Sequence, residues 1–204
     1  MVVAPNRDRR AERREETRRE ILDAAWLIAR QEGLPGVTLR AVAARVGMRA
    51  PSLYSHFASK NAIYDAMFEQ AWSEFDAAAA ASYPGLPASP RAALTGAAKL
   101  FFDFAVSDLA RYQLMNQRTI PGFEPSPESY APAVRALGRL RSLLADLGLR
   151  DPAALDLFTA VTGGLIDQQL ANDPGGTRWE RLLGRVVGMY ATEMGLPAGP
   201  ETRQ

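Results

Sequence analysis

Cysteine is absent from these 204 residues. With it go disulfides, thiolate metal ligands and thiol nucleophiles, and the chain suits a reducing compartment such as the cytoplasm. Histidine is nearly absent, His56 being the only one. A Ser/His/Asp relay or a histidine metal centre would have to run through that residue, and no close carboxylate cluster replaces it. The expectation is no enzyme, no metal and no cofactor. No apolar run reaches the ~18 residues of a membrane span. No apolar h-region near the N-terminus marks a secretory signal. Strand-type alternation, internal repeats and Gly-rich phosphate loops are missing as well. What is present is a chain that is 47% hydrophobic and patterned throughout at helical spacing.

Lysine is scarce too. Lys60 and Lys99 are the only lysines among 24 basic residues. Arginine suits bidentate contacts to phosphate or guanine, although a GC-rich coding sequence explains the bias equally well. The formal net charge of +1 hides an asymmetry: residues 1–60 carry 12 basic and 7 acidic side chains, the remainder 12 and 16. A basic front on an acidic body suggests a polyanionic partner for the front alone.

The most informative stretch is Thr38 to Lys60. Leu39, Val42, Ala43 and Val46 place one apolar stripe on a short helix. Thr38 is a suitable N-cap, and Gly47 a suitable stop because it tolerates positive φ. Pro51 fits the first turn of a second helix. Leu53 and Phe57 turn inward, leaving Ser52, Tyr54, Ser55 and His56 on another face. Helix, glycine turn and polar-faced helix are the parts of a helix-turn-helix.

This stretch resembles the TetR family of transcriptional regulators. The resemblance rests on Thr38-Leu39-Arg40-Ala41-Val42-Ala43, Val46-Gly47-Met48, Ser52 to Phe57, Ser59-Lys60-Asn61 and Ile63. It covers roughly residues 17 to 70. It implies an all-α homodimer of about nine helices that binds a double-stranded DNA operator and answers to a small-molecule inducer. Arg40, Arg49 and Ser52 are the expected base readers, since arginine bonds bidentately to guanine. Ala50 and Pro51 offer apolar surface to thymine methyl groups. Thr38, Tyr54, His56 and Lys60 are expected on phosphates, which position a duplex without reading it. Ser55 lies on the same polar face.

The remaining chain divides by its loops. Residues 1–16 look like a mobile basic arm, with a helix from Thr17 to Gln31 opened by a Thr17/Glu20 capping box. The DNA-binding domain is expected over 17–63, the ligand-binding and dimerisation domain over 64–195, and a disordered tail over 196–204. Ser59 should cap a long helix that joins head to body. By resemblance the body encloses an inducer cavity. Phe68, Trp72, Phe101, Phe104, Tyr112, Met115, Phe158 and Thr162 are the candidates for its wall. Thr159, Gln168, Gln169, Asn116 and Gln117 are further polar candidates. Few counter-charges point to a neutral or apolar ligand. Gly163-Gly164 suggests close approach of another helix, and the resemblance places the dimer interface on the last two helices. Gly163, Gly164, Leu170, Leu183, Val186, Met189 and Tyr190 are its candidates, although a stripe alone does not separate core from interface. The most direct reading is a repressor released from a palindromic operator by a small, mostly apolar ligand. An activator or architectural protein without an inducer is an alternative, as is a helical carrier or enzyme that keeps the head as scaffold.

Overall fold

The computed structural model describes residues 9–197. Among them it is all helical. The helices are α1 (Arg9–Glu32), α2 (Leu39–Val46), α3 (Ala50–Leu53), α4 (Lys60–Ser82), α5 (Pro90–Val106), α6 (Leu109–Asn116), α7 (Pro127–Asp146), α8 (Ala153–Asn172) and α9 (Leu183–Glu193). Single 3₁₀ turns follow α1 and α4 and precede α9.

The caps obey local chemistry. The hydroxyls of Thr38 and Ser59 accept from the backbone N–H of Ala41 and Ala62, both at 3.1 Å. Asp108 and Ser126 cap α6 and α7 in the same way. Gly47 closes α2 at φ 76°, its N–H returning to the last turn.

Two boundaries differ from the sequence expectation. Residues 9–16 are not an arm: α1 starts at Arg9, and the Thr17 hydroxyl donates to the Arg13 carbonyl at 3.0 Å instead of capping. Arginine, alanine and glutamate there are good helix formers, so the helix continues outward without an apolar stripe. The tail does not begin at residue 196, because Leu196 is buried and Arg91 donates to the carbonyls of Leu196 and Pro197 at 3.1 and 2.9 Å. Residues 1–8 and 198–204 of the expected arm and tail lie outside the described residues.

Two apolar cores meet along the body. The first joins α1, α2 and α3 to α4, α6 and part of α7; the second joins α5, α8 and α9 to the rest of α7. The boundary expected at 63/64 falls inside α4, which runs unbroken from Lys60 to Ser82. The front of α4 buries Ile63 and Tyr64 against the head, and its middle buries Trp72 and Phe75 in the body. The Tyr64 hydroxyl donates to the Leu34 carbonyl at 2.6 Å, which fastens the loop before α2 to α4. Further along, Asp76 of α4 pairs with Arg135 and Arg139 of α7 at 3.0 and 2.7 Å. Asp65 accepts from the Ser126 backbone and from the hydroxyls of Ser126 and Ser129, which holds the first turn of α7 on α4.

Candidate nucleic-acid interface and ligand cavity

The helix pair α2–α3 presents one polar face. Leu53 and Phe57 are buried beneath it, with Val42 and Ala43. Arg40, Arg49, Pro51, Ser52, Tyr54, Ser55 and Lys60 are exposed, as is Thr38 at the N-terminus of α2. Tyr54 is a large aromatic left 55% exposed, which folding alone does not call for. The side chains of Arg40, Arg49 and Tyr54 make no hydrogen bond or ion pair among the described residues. Lys60 sits 5.5 Å from the Tyr64 ring centroid. Ser55 is partly committed, its hydroxyl donating to the Ser52 carbonyl at 2.7 Å. Ala50 and His56 are half-buried, and His56 Nδ1 is buried without a partner among the described residues.

Two residues that the sequence reading left out hold this face in place. Arg14 Nη2 donates to the Ser55 carbonyl at 3.1 Å, and Arg18 Nη1 to the His56 carbonyl. Arg18 also lies 4.2 Å over the Phe57 ring. The Ser55 and His56 carbonyls belong to the turn that follows α3, and cations from α1 satisfy them. The signal was present as arginines at i, i+4, but no apolar stripe accompanied it, so that part of α1 was read as arm.

In the body, a cavity of ≈ 490 Å³ opens between α4, α5, α6, α7 and α8. Trp72, Phe101, Tyr112, Met115, Phe158 and Thr162, six of the eight wall candidates, line it. Phe68 and Phe104 do not. Phe68 stacks on Tyr130 at 5.9 Å beside a smaller recess of ≈ 200 Å³. Phe104 is covered by the Arg111 guanidinium, 3.6 Å from its centroid. Burial pushes the Tyr83 phenol, another wall group, up to about 12. The Tyr112 phenol is pushed up by burial and then by the Asp167 carboxylate, which accepts its hydrogen bond at 2.9 Å.

The polar candidates separate. Thr159 and Asn116 reach the cavity, whereas Gln169 is buried elsewhere, its amide donating to the Asp173 and Gly176 carbonyls and accepting from Trp179 N at 2.9 Å. It builds the turn between α8 and α9. Gln168 accepts from Asn172, and Gln117 donates to Asp167 at 3.1 Å.

The interface candidates separate as well. Leu183 and Tyr190 are core: both are buried, and the Tyr190 hydroxyl donates to the Ala154 carbonyl at 2.9 Å. Their stripe faces α5 and α8 within the subunit. Leu170 and Val186 are half-buried against the same core. Gly163 and Gly164 line the cavity, and no atom lies within 4 Å of a Cβ built on either, so no helix of this chain approaches them closely. Met189 is 64% exposed. On α8, Leu157 is exposed as well.

Residues 21–67 match the family model for bacterial regulatory proteins of the tetR family. No curated protein matches the chain. Among solved structures, the regulatory protein SCO4313 superposes with a TM-score of 0.75 at 19% identity, over 93% of this chain and 100% of that one. The transcriptional regulator FadR from Bacillus subtilis, in complex with stearoyl-CoA, gives 0.69 at 15% over 84% and 96%. The multidrug binding protein EbrR complexed with ethidium gives 0.62 at 25% over 86% and 98%. The first two likenesses are likenesses of fold.

Proposed function

We propose that this protein, whose residues 21–67 match the family model for bacterial regulatory proteins of the tetR family, works as a TetR-family transcriptional regulator, a homodimeric repressor released from a palindromic operator by a small, mostly apolar ligand. The observation that carries this reading is the course of α4. One unbroken helix has Ser59 and Lys60 beside the exposed polar face at one end, and Trp72 and Phe75 in the cavity wall further along. FadR with stearoyl-CoA and EbrR with ethidium are neighbours of the same fold that hold small molecules.

The mechanism is linkage. Two heads grip successive half-sites when they sit one helical turn apart, about 34–36 Å. A ligand that prefers a dimer of another spacing lowers operator affinity by that preference, typically about 1–3 kcal/mol. Arg40, Arg49 and Ser52 read bases in this arrangement, Ala50 and Pro51 meet thymine methyls, and Thr38, Tyr54, Ser55, His56 and Lys60 grip the backbone. No cofactor and no catalytic step enter, and the site of action is the cytoplasm.

The test is operator binding measured by fluorescence anisotropy, on fragments selected from genomic DNA. Arg49→Ala should cost about 1–3 kcal/mol and relax the preference at one base position. Tyr54→Phe should weaken all fragments alike, because a phosphate contact carries no sequence information. Unchanged affinity and preference in both variants would remove the DNA face from α3.

A further inference from the structure

The cavity wall holds one formal charge. Among the described residues that line it there is no lysine, arginine or histidine, and Asp167 of α8 is the only carboxylate. Its Oδ1 accepts from the Tyr112 hydroxyl at 2.9 Å and from Gln117 Nε2 at 3.1 Å. Its Oδ2 accepts nothing among the described residues, and no cation pairs with it. Two neutral donors hold the carboxylate in place without neutralising it.

The surroundings are aromatic. Trp72 and Phe101 stack with centroids 6.5 Å apart, and Phe75 meets Phe101 edge-on at 4.9 Å. Ring faces attract cations through their quadrupole. Gly163 and Gly164 lie four and three residues before Asp167, hence on its side of α8. The space that side chains there would occupy is empty of protein atoms within 4 Å. Two adjacent glycines weaken a helix interior, and here they leave open volume beside the carboxylate.

We propose that this cavity selects an organic monocation with a flat apolar body, its positive charge held by Asp167 and its body laid among the aromatic rings. The proposal rests on the reading of the cavity as the ligand site and gives that ligand its charge. It replaces the neutral ligand that the sequence suggested, because the sequence did not place Asp167 in the wall. An anionic ligand meets like charge here, and a neutral one gains nothing from the carboxylate.

Three tricyclic probes of one size test it: N-methylacridinium, neutral acridine and 9-anthracenecarboxylate, titrated by fluorescence against the full chain without DNA. All three titrations are run at about pH 8, where the carboxylic acid of the anionic probe is ionised. The cation should bind at least about tenfold tighter than acridine, and the anion weakest, as a charge-assisted contact requires. Asp167→Asn should remove the cation's lead and leave acridine affinity unchanged, while Asp167→Glu should keep most of it. If acridine or the anion binds as well as the cation, or if Asp167→Asn preserves the lead, the charge assignment is overturned and the cavity reading stands. If none of the three binds, both fall. The ranking on the unmodified chain decides even if the Asn variant fails to fold.

Discussion

At the scale of single residues, Gly47 shows how little contact is needed for a position to be demanding. Nothing lies within 4 Å of a Cβ placed there, yet its φ is +76°. A side chain at that dihedral strains against its own backbone, not against a neighbour. Gly47→Ala should therefore cost about 1–2 kcal/mol in urea unfolding, with no change in the compactness of the native state. The turn between α2 and α3 aims the exposed arginines, so the same variant should also weaken operator binding. Gly163 and Gly164 are the contrasting case. Neither has positive φ, and their value lies in volume left open, which no backbone argument from sequence would reveal.

At the scale of helices, two joints set how the head is carried. The first is α1 on α3. Arg18 donates to the His56 carbonyl and covers Phe57. Arg18→Ala should lower operator affinity by loosening α3. The slope of affinity against salt should stay as it was, because each lost phosphate contact would reduce it by ~0.9 and this residue is placed on protein. A slope that falls by that amount would put Arg18 on DNA instead. The second joint is α4 on α7. Burial pushes the Asp76 carboxyl up, but the hydrogen bonds and charges of Arg139 and Arg135 outweigh it and hold the group below its ordinary value. Asp65 is likewise held low, burial being overcome by the Ser129 and Ser126 donors. A carboxyl depressed in the folded state stabilises above its unfolded value, and that stability drains as pH falls through the folded value. The joint should thus weaken only below about pH 4. Asp76→Asn should lose less stability than the parent across that acid window, seen as a flatter curve of urea midpoint against pH.

At the scale of the whole molecule, the exposed apolar side chains of α8 and α9 are the part that a single chain does not account for. Met189 and Leu157 are 64% and 45% exposed. If two copies close on this face, Met189→Glu should give monomers in light scattering. Operator affinity should then fall steeply, since one head holds one half-site. A dimer that survives the change would place the interface elsewhere.

The helix-turn-helix was legible because its signals are local: Thr38, Gly47 and Ser59 act on backbone groups within four residues, and the stripe from Leu39 to Val46 needs only helical period. The same logic failed for residues 9–16, where good helix formers continue α1 without a stripe and Arg14 finds an acceptor in the turn after α3. Tyr190 and Leu183 were misassigned because a stripe records that a face is covered and not by which chain.

Length, composition and local pattern alone determined an all-helical chain with a basic front, no cysteine and a single histidine. Only the tertiary structure decided that Asp167 meets Tyr112 and Gln117 in an aromatic wall, that Phe68 and Phe104 stand outside it, and that one helix spans head and cavity. The contacts of Asp167 join residues 50 and more positions apart, and the physical reason is plain. Helical period fixes which side of an element is apolar, while packing of one element on another fixes which polar group is left facing the space between them.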